Sequence, residues 1–231
     1  MPQAQPADSG AASTGGLTDR ATALMYVQMN PPPGNEDGFN AWYDQHAPAR
    51  LAMPGFLSAR RYQAVEAEGP RYLATYDLED VSALHTSEYL RLREDEKSRD
   101  REMMASIPMI DRRVYRALDV GQPWTAEWTD HAPYVLSVAM EPPPDKIEDY
   151  HAWYLEEHIP MLLKVKGWRR IRRYELVEGS GLPFMALHEL ESLDGFGSPE
   201  HQASISTPWR LRVAGYVKNR ERCVFKLLRG F

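Results

Sequence analysis

Two periods of apolar residues alternate along this chain, and they come in a fixed order. Residues 23–29 form a short run of strand-forming side chains, stopped by Pro31, Pro32 and Pro33, which cannot continue a sheet. Over residues 35–51 the period lengthens. Phe39, Trp42, Tyr43 and His46 stand at i, i+3, i+4 and i+7, which is one face of a helix. Gly55 marks a turn, and residues 56–65 and 72–78 read as a hairpin across Ala67, Glu68, Gly69 and Pro70. Residues 81 to about 104 make a second helical stretch, with Val81, Leu84, Glu88 and Leu92 at helical spacing and a heavily charged outer face. Residues 112–118 close the unit as a strand.

The same order then returns. Residues 134–140 read as a strand and residues 147–165 as a helix with Tyr150, Trp153, Tyr154, His158 and Leu162 inward. Residues 168–177 and 183–190 form a hairpin, and residues 222–228 the last strand. The second helical region is broken by Gly195, Gly197, Pro199 and Pro208. Matching residues confirm the repeat: Trp42-Tyr43 with Trp153-Tyr154, His46-Ala47-Pro48 with His158-Ile159-Pro160, Gly55 with Gly167, and Arg60-Arg61-Tyr62 with Arg172-Arg173-Tyr174. The shift is 111 residues at the Trp-Tyr pair and 112 from the histidine onward, so one residue was gained or lost within that helix. At about 100 degrees per residue, this separates the two histidines unless one helix ends or bulges differently, and unequal sites are expected. A period this long is a duplicated domain, since solenoid units run about 20 to 50 residues.

Each half reads as βαββαβ, the ferredoxin-like arrangement, with both helices on one face of an antiparallel sheet. The expected fold is therefore α+β: tandem ferredoxin-like repeats whose sheets cover one another as an intramolecular barrel. The expected boundaries are a disordered tail at 1–22, repeat 1 at 23–118, a linker at 119–132 and repeat 2 at 133–231.

Composition narrows the function classes. Of 231 residues, 43% are hydrophobic and 26% charged, with a net charge of −6, which does not suit an electrostatic nucleic-acid binder. A single cysteine, Cys223, allows no internal disulfide and fits a reducing compartment. No window approaches the roughly 18 apolar residues of a membrane span, and the first 20 residues lack a signal-peptide core. A cytoplasmic protein is expected.

The segment 39–48, with Pro54-Gly55-Phe56 and Arg60-Arg61-Tyr62, resembles the EthD-like branch of the dimeric α+β barrel superfamily, and residues 150–160 are its second copy. The resemblance covers nearly everything after residue 22. It implies the barrel fold and a ligand place between the helices and the sheet of each half. The chemistries it implies range from cyclases, isomerases and dehydratases to cofactor-free monooxygenases and haem enzymes. In haem-binding relatives an axial histidine often comes from the second helix, where His85 lies here with Tyr89 at i+4.

His158 and His46 are the first candidates for chemistry, because imidazole exchanges protons near neutral pH. Each shares its helix face with a tyrosine, Tyr154 and Tyr43, able to polarise a carbonyl. His158 takes the leading role, and the first-copy residues form a second or degenerate site. A purely structural role is the competing reading, a histidine ahead of x-Pro holding the turn. Trp153 and Trp42 fill core or wall a pocket that stacks on a planar ligand. Of the adjacent strand pairs Arg60-Arg61 and Arg172-Arg173, one arginine each must face inward and meet a carboxylate of protein or ligand, with Glu79, Glu189 and Glu191 as partners. Tyr62 and Tyr174 stand one residue further on. No metal site, nucleotide fingerprint or nucleophile elbow is present, and the run 94–102 reads as a mixed-charge helix surface. The expectation is a cofactor-independent acid/base enzyme, of lyase, isomerase or cyclase type, on a small aromatic or carbonyl-bearing metabolite. The alternatives are a non-catalytic small-molecule binding protein and a cofactor-free monooxygenase. Further pairing into a homodimer stays open.

Overall fold

The computed structural model describes residues 20–126 and 132–231. The expected tail therefore lies almost wholly outside the described residues, as does the latter part of the expected linker. The first half runs β1 (Ala23–Asn30), α1 (Glu36–Leu51), β2 (Phe56–Ala64), β3 (Tyr72–Leu78), α2 (Ser87–Arg99), α3 (Arg101–Ser106) and β4 (Met109–Ala117). The second runs β5 (Tyr134–Met140), α4 (Ile147–Trp153), a π-helical turn (Tyr154–His158), α5 (Ile159–Leu162), β6 (Trp168–Glu178), β7 (Phe184–Leu190), α6 (Pro199–Ile205), α7 (Pro208–Tyr216) and β8 (Arg220–Gly230).

All eight strands close into one barrel in the order β1-β3-β2-β8-β5-β7-β6-β4. Each half keeps its own four strands together, and the halves join twice, through β2 with β8 and β4 with β6. Every pairing is antiparallel. Closure leaves no sheet edge exposed.

Because successive strand residues face opposite ways, each strand divides between two cores. On β1, Leu24 and Tyr26 point into the barrel with Tyr62, Tyr115, Val135, Tyr174, Leu187 and Phe225. Ala23, Met25, Val27 and Met29 point outward and pack beneath α1 and α2 with Phe39, Tyr43 and Tyr89. The second half has a matching outer core, in which Leu136, Val138 and Met140 of β5 share their packing with Trp153, Tyr154 and Val213. Covering both faces makes β1, β3, β5 and β7 almost fully buried.

Local chemistry sets the boundaries. Glu36 and Asp37 occupy the first turn of α1 and Arg50 its last, matching the helix dipole. Gly55 has φ +82°, and a Cβ there would stand 2.7 Å from that of Ala83. Its counterpart Gly167 has φ +92°. The expected single helical stretch over 81–104 is instead a 3-10 turn (Val81–His85) and two helices, divided where Thr86 caps α2 by accepting from the Tyr89 N–H. Glu88, expected on the inner stripe, is exposed.

Candidate active site

On α1, Trp42, Tyr43 and His46 cluster with ring centroids 4.1 Å apart for Trp42–His46 and 5.3 Å for Tyr43–His46. In the second half the corresponding separations are 4.2 Å for Trp153–His158 and 5.4 Å for Tyr154–His158. The ring separations match although His46 follows Trp42 by four residues and His158 follows Trp153 by five, while the Trp–His planes meet at 40° in the first half and 23° in the second. The π-helical turn Tyr154–His158 houses the extra residue, so the helix bulges and the histidine returns to its place.

The surroundings of the two histidines differ. His46 lines a cavity of about 310 Å³ between the sheet and the helices, floored by Met25, Val27 and Met29 and walled by Trp42, Tyr43, Tyr76 and Tyr89. The Nδ1 of His46 lies 3.2 Å from Glu96 Oε1 on α2. That approach is off the line of a straight hydrogen bond, and such contacts often tighten only once a ligand is bound. Both oxygens of Glu96 accept from Arg50, at 2.6 and 2.7 Å, in a bidentate pair. The hydroxyls of Tyr43 and Tyr76 are 3.4 Å apart. Burial pushes both phenols above their ordinary pKa, so both stay protonated and able to donate.

Glu96 lies within the run 94–102, read from sequence as a solvated surface, and that reading needs correction. Glu96 is 5% exposed, and Lys97 and Arg101 line the cavity with it. Tyr89, Arg93, Glu96 and Asp100 stand at i, i+4, i+7 and i+11, so the helical period that revealed α1 runs here too, carried by charged residues.

Among the described residues no carboxylate takes the place of Glu96 beside His158. Burial first, with the Arg210 guanidinium adding to it, holds its pKa well below the ordinary value. A group so placed is a weak proton acceptor at neutral pH. The 112-residue shift matches Tyr76 with His188 and Tyr89 with His201, so two cavity tyrosines are replaced by histidines. It matches Glu96 with Pro208, where the second helical region breaks into α6 and α7.

The predicted arginines are met within the protein. Arg60 pairs with Asp77 at 2.6 Å inside the barrel, and Arg172 pairs with Asp77 and, at 2.9 Å, with Glu189. Arg170 adds a third guanidinium 3.3 Å from Glu189. Glu189 was an expected partner. Asp77 was not, Glu191 pairs with Arg169 instead, and Glu79 is exposed. Their neighbours on the outer face are also buried. Arg61 sits 4.3 Å from the Tyr43 ring centre and donates to Asn40, while Arg173 pairs with Asp119 and lies 5.4 Å from the Tyr154 ring centre. Tyr62 and Tyr174 are buried inside the barrel, away from the His46 cavity.

His46, Glu96 and Asp100 bring possible ligand atoms within 4.8 Å of one another, a grouping hidden in the sequence because it spans two helices. Arg50 already holds both Glu96 oxygens, and Arg93, Lys97 and Arg101 line the same cavity, a positive field that opposes a metal ion. A haem ligand at His85 does not fit either. That side chain is 63% exposed and contacts Glu178 at 3.3 Å.

No family model and no curated protein sequence matches the chain. Solved structures do match in shape. An anthrone oxidase-like protein aligns over 94% of both chains with a TM-score of 0.65 and 11% identity. A chlorite dismutase from Candidatus Nitrospira defluvii, in complex with imidazole, aligns over 90% of this chain and 91% of its own, with a TM-score of 0.61 and 10% identity. A proposed monooxygenase from Fusobacterium nucleatum subsp. nucleatum aligns over 91% and 94%, with a TM-score of 0.59 and 8% identity. At these identities the likeness shows the fold, that of the dimeric α+β barrel proteins. No helix among the described residues is long and apolar enough to cross a membrane.

Proposed function

We propose that this protein is a cofactor-independent acid/base enzyme, of lyase, isomerase or cyclase type, and that the first-half cavity is its site. The observation that carries the reading is the buried Glu96, placed 3.2 Å from His46 Nδ1 in an aromatic cavity and gripped through both oxygens by Arg50. A carboxylate on Nδ1 fixes the tautomer and supports the imidazolium that forms when Nε2 takes a proton. The substrate is a small aromatic or carbonyl-bearing metabolite. His46 Nε2 removes a proton from carbon beside the carbonyl, and the Tyr43–Tyr76 hydroxyl pair donates to the oxygen on which charge develops. The same imidazolium returns the proton at a new position, or to a leaving group. His158, Tyr154 and Trp153 form the second, degenerate copy.

In the same reading the chain is two tandem EthD-like, ferredoxin-like units, 23–118 and 133–231, fused through 119–132. The shared strand order of the halves and the paired joins β2–β8 and β4–β6 support it.

The test is proton exchange, which needs no knowledge of the final product. Aromatic ketones and 1,3-dicarbonyl compounds are incubated with protein in D2O, and deuterium uptake at the carbon acid is followed by NMR. Wild type should accelerate uptake for some members of the panel. His46→Ala should lower the rate at least about 100-fold with the fold intact, and Glu96→Gln should lower it as well. Equal exchange by wild type and His46→Ala would sink the proposal. Saturable binding without exchange would favour a binding protein, and dioxygen uptake a monooxygenase.

A further inference from the structure

The cavity also carries information about the charge and size of what it holds, and this inference rests on its being the functional site. The chain as a whole is negative, at −6, yet four cations line this cavity beyond the Arg50–Glu96 pair: Arg93, Lys97, Arg101 and Arg112. Lys97 is turned to Glu94 at 2.8 Å, and Arg112 to Glu178 at 3.2 Å. Arg93 and Arg101 have no ion-pair partner among the described residues, and both are exposed, which places them at the mouth. The Nε of Arg112 is buried with no hydrogen-bond partner, a donor the protein leaves unanswered.

Below this ring the floor is apolar, formed by Met25, Val27 and Met29, and two large apolar residues, Met104 and Ile110, stay about 40% exposed where they line the cavity. Cations clustered over an apolar pit repel one another, and an anion with a flat apolar body relieves both features at once. Size limits the body. A dry apolar cavity of about 150 Å³ takes one benzene ring, so about 310 Å³ takes two fused rings.

We propose that the first-half cavity binds a two-ring aromatic acid, its rings against Met25, Val27 and Trp42 and its anionic group held at the mouth by Arg93 and Arg101. Glu96 does not repel this group, because Arg50 covers both of its oxygens.

Binding is read without turnover, by quenching of tryptophan fluorescence and by native mass spectrometry. The probes are 2-naphthoate, methyl 2-naphthoate and benzoate. Naphthoate should bind about tenfold tighter than its ester, as a charge-assisted pair implies, and tighter than benzoate. The preference should shrink as salt rises, since the mouth is exposed. In the double variant Arg93→Gln/Arg101→Gln the acid and ester should bind within about threefold of each other, with ester affinity unchanged. Equal binding of acid and ester to wild type would overturn the anion assignment. Benzoate binding as well as naphthoate would overturn the size assignment. No binding of any probe would overturn both. Selective naphthoate binding, with the exchange assay silent across its panel, would leave this inference standing while the catalytic proposal fell.

Discussion

His188 offers a quantitative check on how the second half is built. It lies on β7, 2% exposed, and its Nδ1 accepts from the Trp168 indole N–H at 3.3 Å. A protonated ring would set two donors against each other there. Burial, with Arg222 nearby, pushes its pKa down to about 3. The unfolded chain takes up this proton near pH 6.5 and the folded protein does not. Stability therefore falls as pH drops below about 6.5 and goes on falling toward the folded value. At 1.36 kcal/mol per unit, the loss at pH 5 from this one residue is about 2 kcal/mol. Asp77 and Glu189 are shifted down as well, but in the unfolded chain they titrate near pH 4, so the interval from pH 7 to 5 isolates the histidines. In His188→Asn the amide oxygen can accept from Trp168, and nothing titrates. Urea unfolding followed by tryptophan fluorescence should show the variant about 1 kcal/mol less stable than wild type at pH 7 and more stable at pH 5. Parallel loss of stability by both proteins across that interval would refute the reasoning.

Three further outcomes follow from the packing. Asp77→Asn removes the carboxylate shared by Arg60 and Arg172 inside the barrel, and thermal unfolding should report a loss of about 3 to 5 kcal/mol. Gly55→Ala and Gly69→Ala both place a side chain at positive φ, costing about 1 kcal/mol, but only at Gly55 does the new Cβ meet another atom, Ala83 Cβ at 2.7 Å. Gly55→Ala should therefore be the more damaging by at least about 1 kcal/mol in the same melts. Deleting the half-exposed Leu155 should convert the π-helical turn to an ordinary one. The Trp153–His158 stack should survive at a cost within about 1 kcal/mol, and a crystal structure with that stack broken would show that the bulge does more than house a residue.

Much of the architecture was readable because it was written twice. The spans of β3 and β5 agree with the sequence reading to the residue, since strand runs bounded by proline, glycine and charged turns leave little freedom. The change of shift from 111 to 112 located the irregular helix, but spacing could not say whether it would end early or bulge. Burial of both members of each Arg-Arg pair was not readable. Adjacent strand residues do face opposite ways, but here the barrel buries one face and the helices the other. Glu96 was missed because a carboxylate in a charged run is ordinarily solvated, and its partners Arg50 and His46 lie on another helix.

The same duplication explains how a one-sided site can sit on a two-sided barrel. Closure needs strands from both halves, so the joins β2–β8 and β4–β6 constrain both sheets equally. The helices beyond the sheet carry no such constraint. In the first half α2 continues past Thr86 for several turns, which brings Arg93, Glu96 and Lys97 over the outward face of β1. In the second half Ser198 caps the start of α6 just as Thr86 caps that of α2, but the chain breaks after Ile205 and restarts at Pro208. That break lets α7 approach, and Val213 is packed at 0% exposure in the core that contains Leu136, Val138 and Met140. One half thus spends its outer layer on a packed core and the other on a cavity. The two histidines keep the same separations from their Trp-Tyr pairs because their helix docks on the barrel. Only the neighbours supplied by the unconstrained helices decide that His46 faces the Glu96 carboxylate and His158 faces the Arg210 guanidinium.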